Sequence, residues 1–335
     1  MAGNRRGRLA LTAVVIAGAI ALLVSSIAGS ASAAKADSTS AQAQIKIGFI
    51  NLSGQIPYSV FVLKSFQAAA KQNHVKLVAC DSRLSIEKAI TCAQLLKSQH
   101  VNGIANFQGN QAASPRICAA GPKVPVVAVD IPQKPCQKVY FGANNYQTGY
   151  MGGVALGTYA KQKWNCDVDA VINFNTPINA LVLVREQAEF AGVKSQCPNV
   201  KETDVAPASY TTDATIAPFT DVLTRLPGAH HILVLGVNDD VAIGAIKAAQ
   251  SAGRLGDLYV VGQGGDPTSW PYLCGKSPFK NWVGEVGYFP QRYGQQVIPI
   301  LLNLIKGKKQ PKTIYLKPHV ITSGNIASFY PSACK

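Results

Sequence analysis

Acidic residues are scarce in this chain: 17 Asp and Glu stand against 32 Lys and Arg in 335 residues, and charges of both signs make up only 15% of it. A sequence so poor in charge and 47% apolar is not a disordered acidic or basic tail, because it has the apolar material to offset the entropy of ordering. It has no collagen period, coiled-coil run or short repeat. It has no Cys-x-x-Cys, and its five histidines (His74, His100, His230, His231, His319) do not form a ligand spacing with the cysteines, which argues against a redox motif and a zinc knuckle. No G-x-S-x-G elbow and no G-x-G-x-x-G between strand and helix occurs, which argues against a serine hydrolase and a dinucleotide enzyme. No metal and no cofactor is expected.

What is present begins with an export signal. Three arginines in MAGNRRGR precede the uncharged run LALTAVVIAGAIALLVSSIAG, and Ala31-Ser32-Ala33 offers a cleavage site, so residues 1–33 read as a secretory signal peptide. An uncleaved anchor is the alternative that the same long run supports. Cleavage would leave 302 residues and, because three arginines and no acid depart, would reduce the formal charge from +15 to +12. Residues 34–44 read as a small, polar, flexible linker. The formal charge alone suits nucleic acid, a membrane surface or a basic soluble protein, and export removes the first.

All eight cysteines follow the export signal, in the compartment where disulfides persist. They allow 105 pairings. Pairing of sequence neighbours predicts Cys80–Cys92, Cys118–Cys136, Cys166–Cys197 and Cys274–Cys334.

Short apolar runs alternate with helical periodicity along the rest. Strands are expected at residues 45–50, 76–80, 101–107, 124–129 and 139–143; the apolar spacing of Val62, Phe66 and Ala69, and of Ile86, Ile90, Ala93 and Leu96, predicts helices between them. A Gly-rich helix over 146–160 opens a second round: strands at 169–174, 201–205, 231–235 and 258–262, with helices at 180–194, 213–226 (Pro218 marking a restart or kink) and 241–252. Runs that are apolar throughout belong to strands buried on both faces, so the fold class is α/β, with parallel sheets flanked by helices in two Rossmann-like lobes.

Ligands of such sheets sit beyond the carboxyl ends of the strands. The polar residues there are Asn51 and Ser53; Asp81, Ser82 and Arg83; Asn106, Gln108 and Asn110; Asp130; and, in the second round, Asn175, Asn179, Arg185, Tyr210, Asn238, Asp239, Gln263 and Asp266. Amides and carboxylates suit hydroxyl groups, each of which donates and accepts at once. Tyr58, Phe61, Phe107, Trp270 and Tyr288 offer flat faces to the CH side of such a ligand. Each also has a structural reading: a strand-end Asn is commonly a turn former or a helix cap, and Asn238-Asp239 stands where a helix needs one. A glycosidase pair made of Asp130 and Asp266 would need a defined separation across a sugar, which the sequence does not supply, and no enzymatic function is expected.

In order and spacing, several segments resemble the sugar-binding branch of the type I periplasmic solute-binding proteins of bacterial ABC importers, typified by ribose-binding protein. They are the opening strand with Asn51 and Pro57-Tyr58, Val124-Pro125-Val126-Val127 with Val129-Asp130, Asn144-Asn145 through Gly149, Val237-Asn238-Asp239 with Ala242 and Gly244-Ala245, Val260-Val261-Gly262, and Tyr288 with Pro290 and Gly294. The effector domain of lactose-repressor-type regulators is similar too, but a signal peptide occupies the place of a DNA-binding headpiece. The resemblance implies an N-terminal lobe of residues 45–143 plus 289–317 and a C-terminal lobe of 144–288 plus 318–335, joined by a three-crossover hinge. It implies ligand contacts from Asn51, Tyr58, Asn106, Asp130, Asn238 and Tyr288, with Arg185 and Asp266 as nearest counterparts of further contacts; Ser53, Phe107, Gln108, Tyr210, Asp239, Gln263 and Trp270 rank second.

Three departures from the ribose pattern stand out: Ile131 replaces an arginine, Ser59 replaces a second aromatic, and Gly264 replaces a carboxylate that recurs two residues on as Asp266. The expectation is therefore an exported, monomeric, non-enzymatic receptor, in the periplasm or at the outer face of the membrane. It would hand a neutral sugar other than ribose, a sugar alcohol or a cyclitol to an ABC permease, with no nucleic acid as partner. A sensing module for a small furanose-derived or other polar signal is the alternative.

Overall fold

The computed structural model describes residues 44–175 and 180–335. The signal peptide, nearly all of the linker and Asn179 lie outside the described residues.

The first round of alternation runs β1 (Lys46–Asn51), α1 (Pro57–Gln72), β2 (Lys76–Asp81), α2 (Ile86–Ser98), β3 (Gly103–Asn106), α3 (Ser114–Ala120), β4 (Val126–Val129) and β5 (Gln137–Gly142). The second runs α4 (Asn145–Trp164), β6 (Ala170–Asn173), α5 (Ala180–Gln196), β7 (Glu202–Asp204), α6 (Thr212–Arg225), β8 (Ile232–Leu235), α7 (Asp239–Ser251), β9 (Leu258–Gly264), α8 (Trp270–Leu273) and β10 (Trp282–Gly287). The chain then returns through α9 (Tyr293–Ile305) and β11 (Thr313–Tyr315), and finishes with β12 (His319–Ile321) and α10 (Ile326–Phe329).

The strands form two six-stranded sheets, ordered β11-β5-β4-β3-β1-β2 and β12-β10-β9-β8-β6-β7. All pairings are parallel except β10 with β12. The β11 and β12 edges place the chain's passage between sheets after β5, after β10 and after β11. β3, β4, β6 and β8 are buried at every residue, which is why they read as continuous apolar runs. Helix starts are set locally: Pro57 opens α1, and the side chains of Ser85, Asn144 and Asn238 accept from backbone N–H groups at the starts of α2, α4 and α7. Pro218 lies inside an unbroken α6, so it produces no restart.

The Gly-rich α4 exists to touch α5. A Cβ on Gly149 would stand 2.2 Å from the carbonyl oxygen of Arg185, and one on Gly153 would overlap the carbonyl oxygen of Glu189 at 1.8 Å. The two backbones therefore meet without side chains between them, and that approach places Arg185 beside the start of α4. The four disulfides join the predicted neighbours. Cys80–Cys92 ties β2 to α2, Cys118–Cys136 ties α3 to the segment before β5, Cys166–Cys197 closes the far ends of α4 and α5, and Cys274–Cys334 pins the tail behind α8.

Candidate functional site

A cleft of about 770 Å³ lies between the carboxyl ends of the two sets of strands. Of the first-rank residues it brings together Tyr58, Asp130, Arg185, Asn238, Asp266 and Tyr288, and of the second rank Phe107, Tyr210, Asp239 and Gln263. Asn51, Asn106, Ser53, Gln108 and Trp270 are not among its lining residues. Their side chains serve the interior. Asn106 donates to Gln133 Oε1 at 3.3 Å, Gln108 donates to the same oxygen at 2.7 Å, and Ser53 Oγ accepts from the Gln55 N–H at 3.1 Å. Asn51 is 1% exposed with its amide turned into the protein. Trp270 packs edge-on against Phe61 with ring centres 6.0 Å apart and lies 4.8 Å from the Tyr330 ring.

On the first-sheet wall the centre is Asp130, which adopts a left-handed φ of 56° directly after β4. Aspartate tolerates that region better than most residues, and the backbone is held there by the Asp130 N–H donating to the Phe141 carbonyl at 2.8 Å. The Tyr58 hydroxyl donates to the Tyr293 hydroxyl at 2.7 Å, which donates to Asp130 Oδ1 at 3.0 Å. Burial pushes the Asp130 carboxyl up to about 6, with the Tyr293 hydrogen bond and the Arg185 charge holding it from rising further. The sequence pattern does not point to Tyr293, which sits on α9 more than 160 residues from Asp130, and no local signal links the two.

The second-sheet wall is richer in charge. Arg185 donates through Nε and Nη2 to Asn145 Oδ1 at 3.1 and 2.6 Å and through Nη1 to the Val237 carbonyl at 2.9 Å, and its guanidinium lies 5.2 Å from the centre of the Tyr288 ring. The Tyr288 hydroxyl lies 2.5 Å from Gln263 Oε1 and 3.1 Å from Thr148 Oγ1, and Gln263 in turn donates to Glu189. Burial pushes Glu189 up to about 8 against the pull of that hydrogen bond and of Arg185.

Asn238 lines the cleft while both its polar ends are committed: Oδ1 caps α7 through the Val241 N–H at 2.8 Å, and Nδ2 donates to the Tyr210 carbonyl at 3.0 Å. Asp239 Oδ2 accepts from the Asp266 N–H at 3.0 Å, and Asp266 Oδ1 accepts from the Thr268 N–H at 2.8 Å and the Thr268 hydroxyl at 2.5 Å. Asp239, Asp266 and the fully buried Glu285 behind them are all raised by burial, and Asp239 and Glu285 further by neighbouring carboxylates. Asp240 also lines the cleft, although a strand-end position does not single it out because it follows the cap; it is raised to about 6 by burial and by Asp266.

Apolar lining residues carry no such signal in the sequence: Leu52, Ile56, Leu84, Leu181 and Val182 share the cleft with Ile131. Among the described residues, no group of three or more His, Cys, Asp or Glu side chains is arranged to hold a metal ion. The arrangement can bind hydroxyls from both walls and present aromatic faces to a ring.

Residues 47–309 match the family model for the periplasmic binding protein domain, and the chain belongs to that family. Among curated proteins, a Rhizobium meliloti protein named "Putative rhizopine-binding protein" is 33% identical over 101 residues, 29% of this chain and 30% of that one. The matched stretch thus spans under a third of that relative's length. A carbohydrate transporter solute-binding protein from Agrobacterium radiobacter, crystallised with D-arabinose, superposes with a TM-score of 0.75 at 20% identity, covering 87% of this chain and 98% of that one. An ABC transporter periplasmic solute-binding protein from Actinobacillus succinogenes 130z, with bound D-allose, gives 0.71 at 20% identity, covering 85% and 100%. At these identities the likeness is one of fold.

Proposed function

We propose that the protein is an exported solute-binding receptor that captures a small polyhydroxylated ligand, a sugar, sugar alcohol or cyclitol, and delivers it to an ABC importer. The observation that carries this is the cleft itself. It unites Asp130 from one wall with Arg185, Asn238 and Asp266 from the other, and sets the rings of Tyr58 and Tyr288 among them. Hydroxyls are matched by acceptors and donors from two directions, and an unmatched buried group on either side would cost affinity, so hydroxyl positions set specificity. The carbohydrate ligands named for the structural neighbours support the same class.

The lobes are residues 45–143 plus 289–317 and 144–288 plus 318–335, and the three passages between sheets act as a hinge that ligand binding holds shut. The receptor acts as a monomer, outside the cytoplasmic membrane, with the permease as its membrane partner and no chemistry of its own. Titration calorimetry against a panel of sugars, alditols and cyclitols tests the reading. Saturable binding by a member of the panel is expected, and no heat up to millimolar ligand, about −4 kcal/mol of binding free energy, would sink it.

A further inference from the structure

The cleft is larger and more apolar than a bare sugar needs. A hexose has twelve non-hydrogen atoms; even at the ~30 Å³ that a water molecule takes in the liquid, it would fill about 360 Å³. That is under half of the 770 Å³ between the walls. Phe61 on α1 meets Trp270 on α8, so the two sets of elements touch at that point. Part of the lining is aliphatic, and one of these residues, Leu84, is 53% exposed.

Leu84 is held in place by a built turn. Arg83 and Leu84 both adopt left-handed backbone, φ 49° and 59°, which is unusual for a bulky side chain and persists only where the surroundings over-determine it. They do so here. The Ser82 N–H donates to the Asn51 carbonyl at 3.0 Å, the Leu84 N–H to the Leu52 carbonyl at 3.0 Å, and the Arg83 N–H to Asp81 Oδ1 at 3.0 Å, while the other oxygen of Asp81 accepts from the Gly54 N–H at 3.0 Å. The Cys80–Cys92 disulfide anchors the strand that leads into the turn. Gly109 lies against both leucines: a Cβ there would stand 3.0 Å from Leu52 Cδ1 and 3.4 Å from Leu84 Cδ2, so the missing side chain lets the two leucines close into one apolar patch. A locally strained turn therefore uses its hydrogen bonds to present an apolar side chain to a ligand cleft, in one patch with Leu52 and Gly109.

We propose that this corner, formed by Leu52, Leu84 and Gly109, is a subsite for an apolar substituent, so that the ligand is an alkylated or otherwise apolar-substituted polyol rather than the bare sugar, with Leu84 as a specificity-determining residue. The inference rests on the receptor reading above. Asp130, Arg185 and Asp266 hold the hydroxylated part, and the substituent lies along the aliphatic side chains, where each buried methylene contributes roughly fourfold in affinity.

Calorimetry on the full mature chain with matched pairs tests it: D-allose, D-arabinose and myo-inositol, each against its n-butyl glycoside or ether. At least one butyl derivative is expected to bind about tenfold or more tighter than its parent. Leu84→Ser should cut that ratio at least threefold, whereas Asp130→Asn should weaken both members alike and leave the ratio standing. Because Leu84 is exposed, the variant is not expected to unfold the lobe. Parents that bind as well as or better than their butyl forms overturn the subsite and leave the receptor reading intact; a ratio unmoved by Leu84→Ser overturns the role of Leu84. Absence of binding by every parent and derivative removes the receptor reading and the subsite together.

Discussion

The two walls of the cleft stand on sheets with the same strand order, 2-1-3-4-5 with one added edge strand, yet they carry different chemistry. The first-sheet wall has one carboxylate, Asp130, supported by two tyrosine hydroxyls and flanked by leucines and isoleucines. The second has three lining aspartates, an arginine and a glutamine, backed by buried Glu189 and Glu285. Shared topology fixes where loops emerge; it leaves the side chains on them free to divide the work. One wall offers a single directional acceptor within an apolar surface, and the other offers a charged network that needs burial and neighbours to hold it.

The walls also differ in how they are braced, and a large expected effect follows from that. Gly153→Ala drives a methyl into the backbone of α5 beneath Arg185, and should lower unfolding stability by at least ~3 kcal/mol, whereas Gly48→Ala in β1 meets only the flexible end of Leu96 and should cost under ~1.5 kcal/mol. Urea denaturation of both variants checks the contrast; equal losses would mean that the α4–α5 backbone contact can relax. Next come the disulfides. By loop length, Cys274→Ser with Cys334→Ser, opening a 60-residue separation, should cost about 4 kcal/mol, and Cys80→Ser with Cys92→Ser, opening 12, about 3. Thermal unfolding of the two double variants gives the order.

A smaller effect separates the walls by binding. Asp130→Ala should weaken the best ligand of the calorimetric panel at least about tenfold, or about 1.4 kcal/mol, since no second carboxylate stands on its side; unchanged affinity would make Asp130 a strand terminator alone. A further contrast is in pH. Glu189 has its carboxyl raised from an ordinary 4.5 to about 8, and Asp130 from 3.8 to about 6, so the folded protein holds protons that the unfolded chain has released. Stability is therefore expected to fall as pH rises, between about 4 and 6 through Asp130 and between about 4.5 and 8 through Glu189. Glu189→Gln should flatten the upper part of that slope in denaturation midpoints taken from pH 5 to 8.5, and Asp130→Asn the lower part. A slope identical in both variants would assign the pH dependence to other groups.

Much of this is legible in the residues. The parallel sheets are readable because strands buried on both faces leave unbroken apolar runs, and the first three disulfides because sequence neighbours in short strand-helix units are neighbours in space; Cys274–Cys334, 60 residues apart, has no such local reason. β10 escapes such a reading: Glu285 stands in its middle, and a fully buried carboxylate breaks the apolar run that marks the others. β11 and β12, three residues each, are too short to show a period. In the cleft, Asp130, Arg185, Asn238 and Asp266 can be picked out because strand ends are where ligands bind. Asn51 and Asn106 look the same in sequence, and only the direction of the side chain, into the interior or into the cleft, tells them apart.

The sequence by itself thus determined the α/β alternation, the two rounds and the small set of polar residues at strand ends, because each depends on neighbours a few residues away or on one face of one element. Tertiary structure alone decided which of those residues share a cleft, that Tyr293 on a returning helix supports Asp130, that glycines of α4 seat Arg185, and that Leu84 lines the cleft. Those are contacts between segments distant in the chain, and their physical origin is packing and burial, which no local pattern encodes.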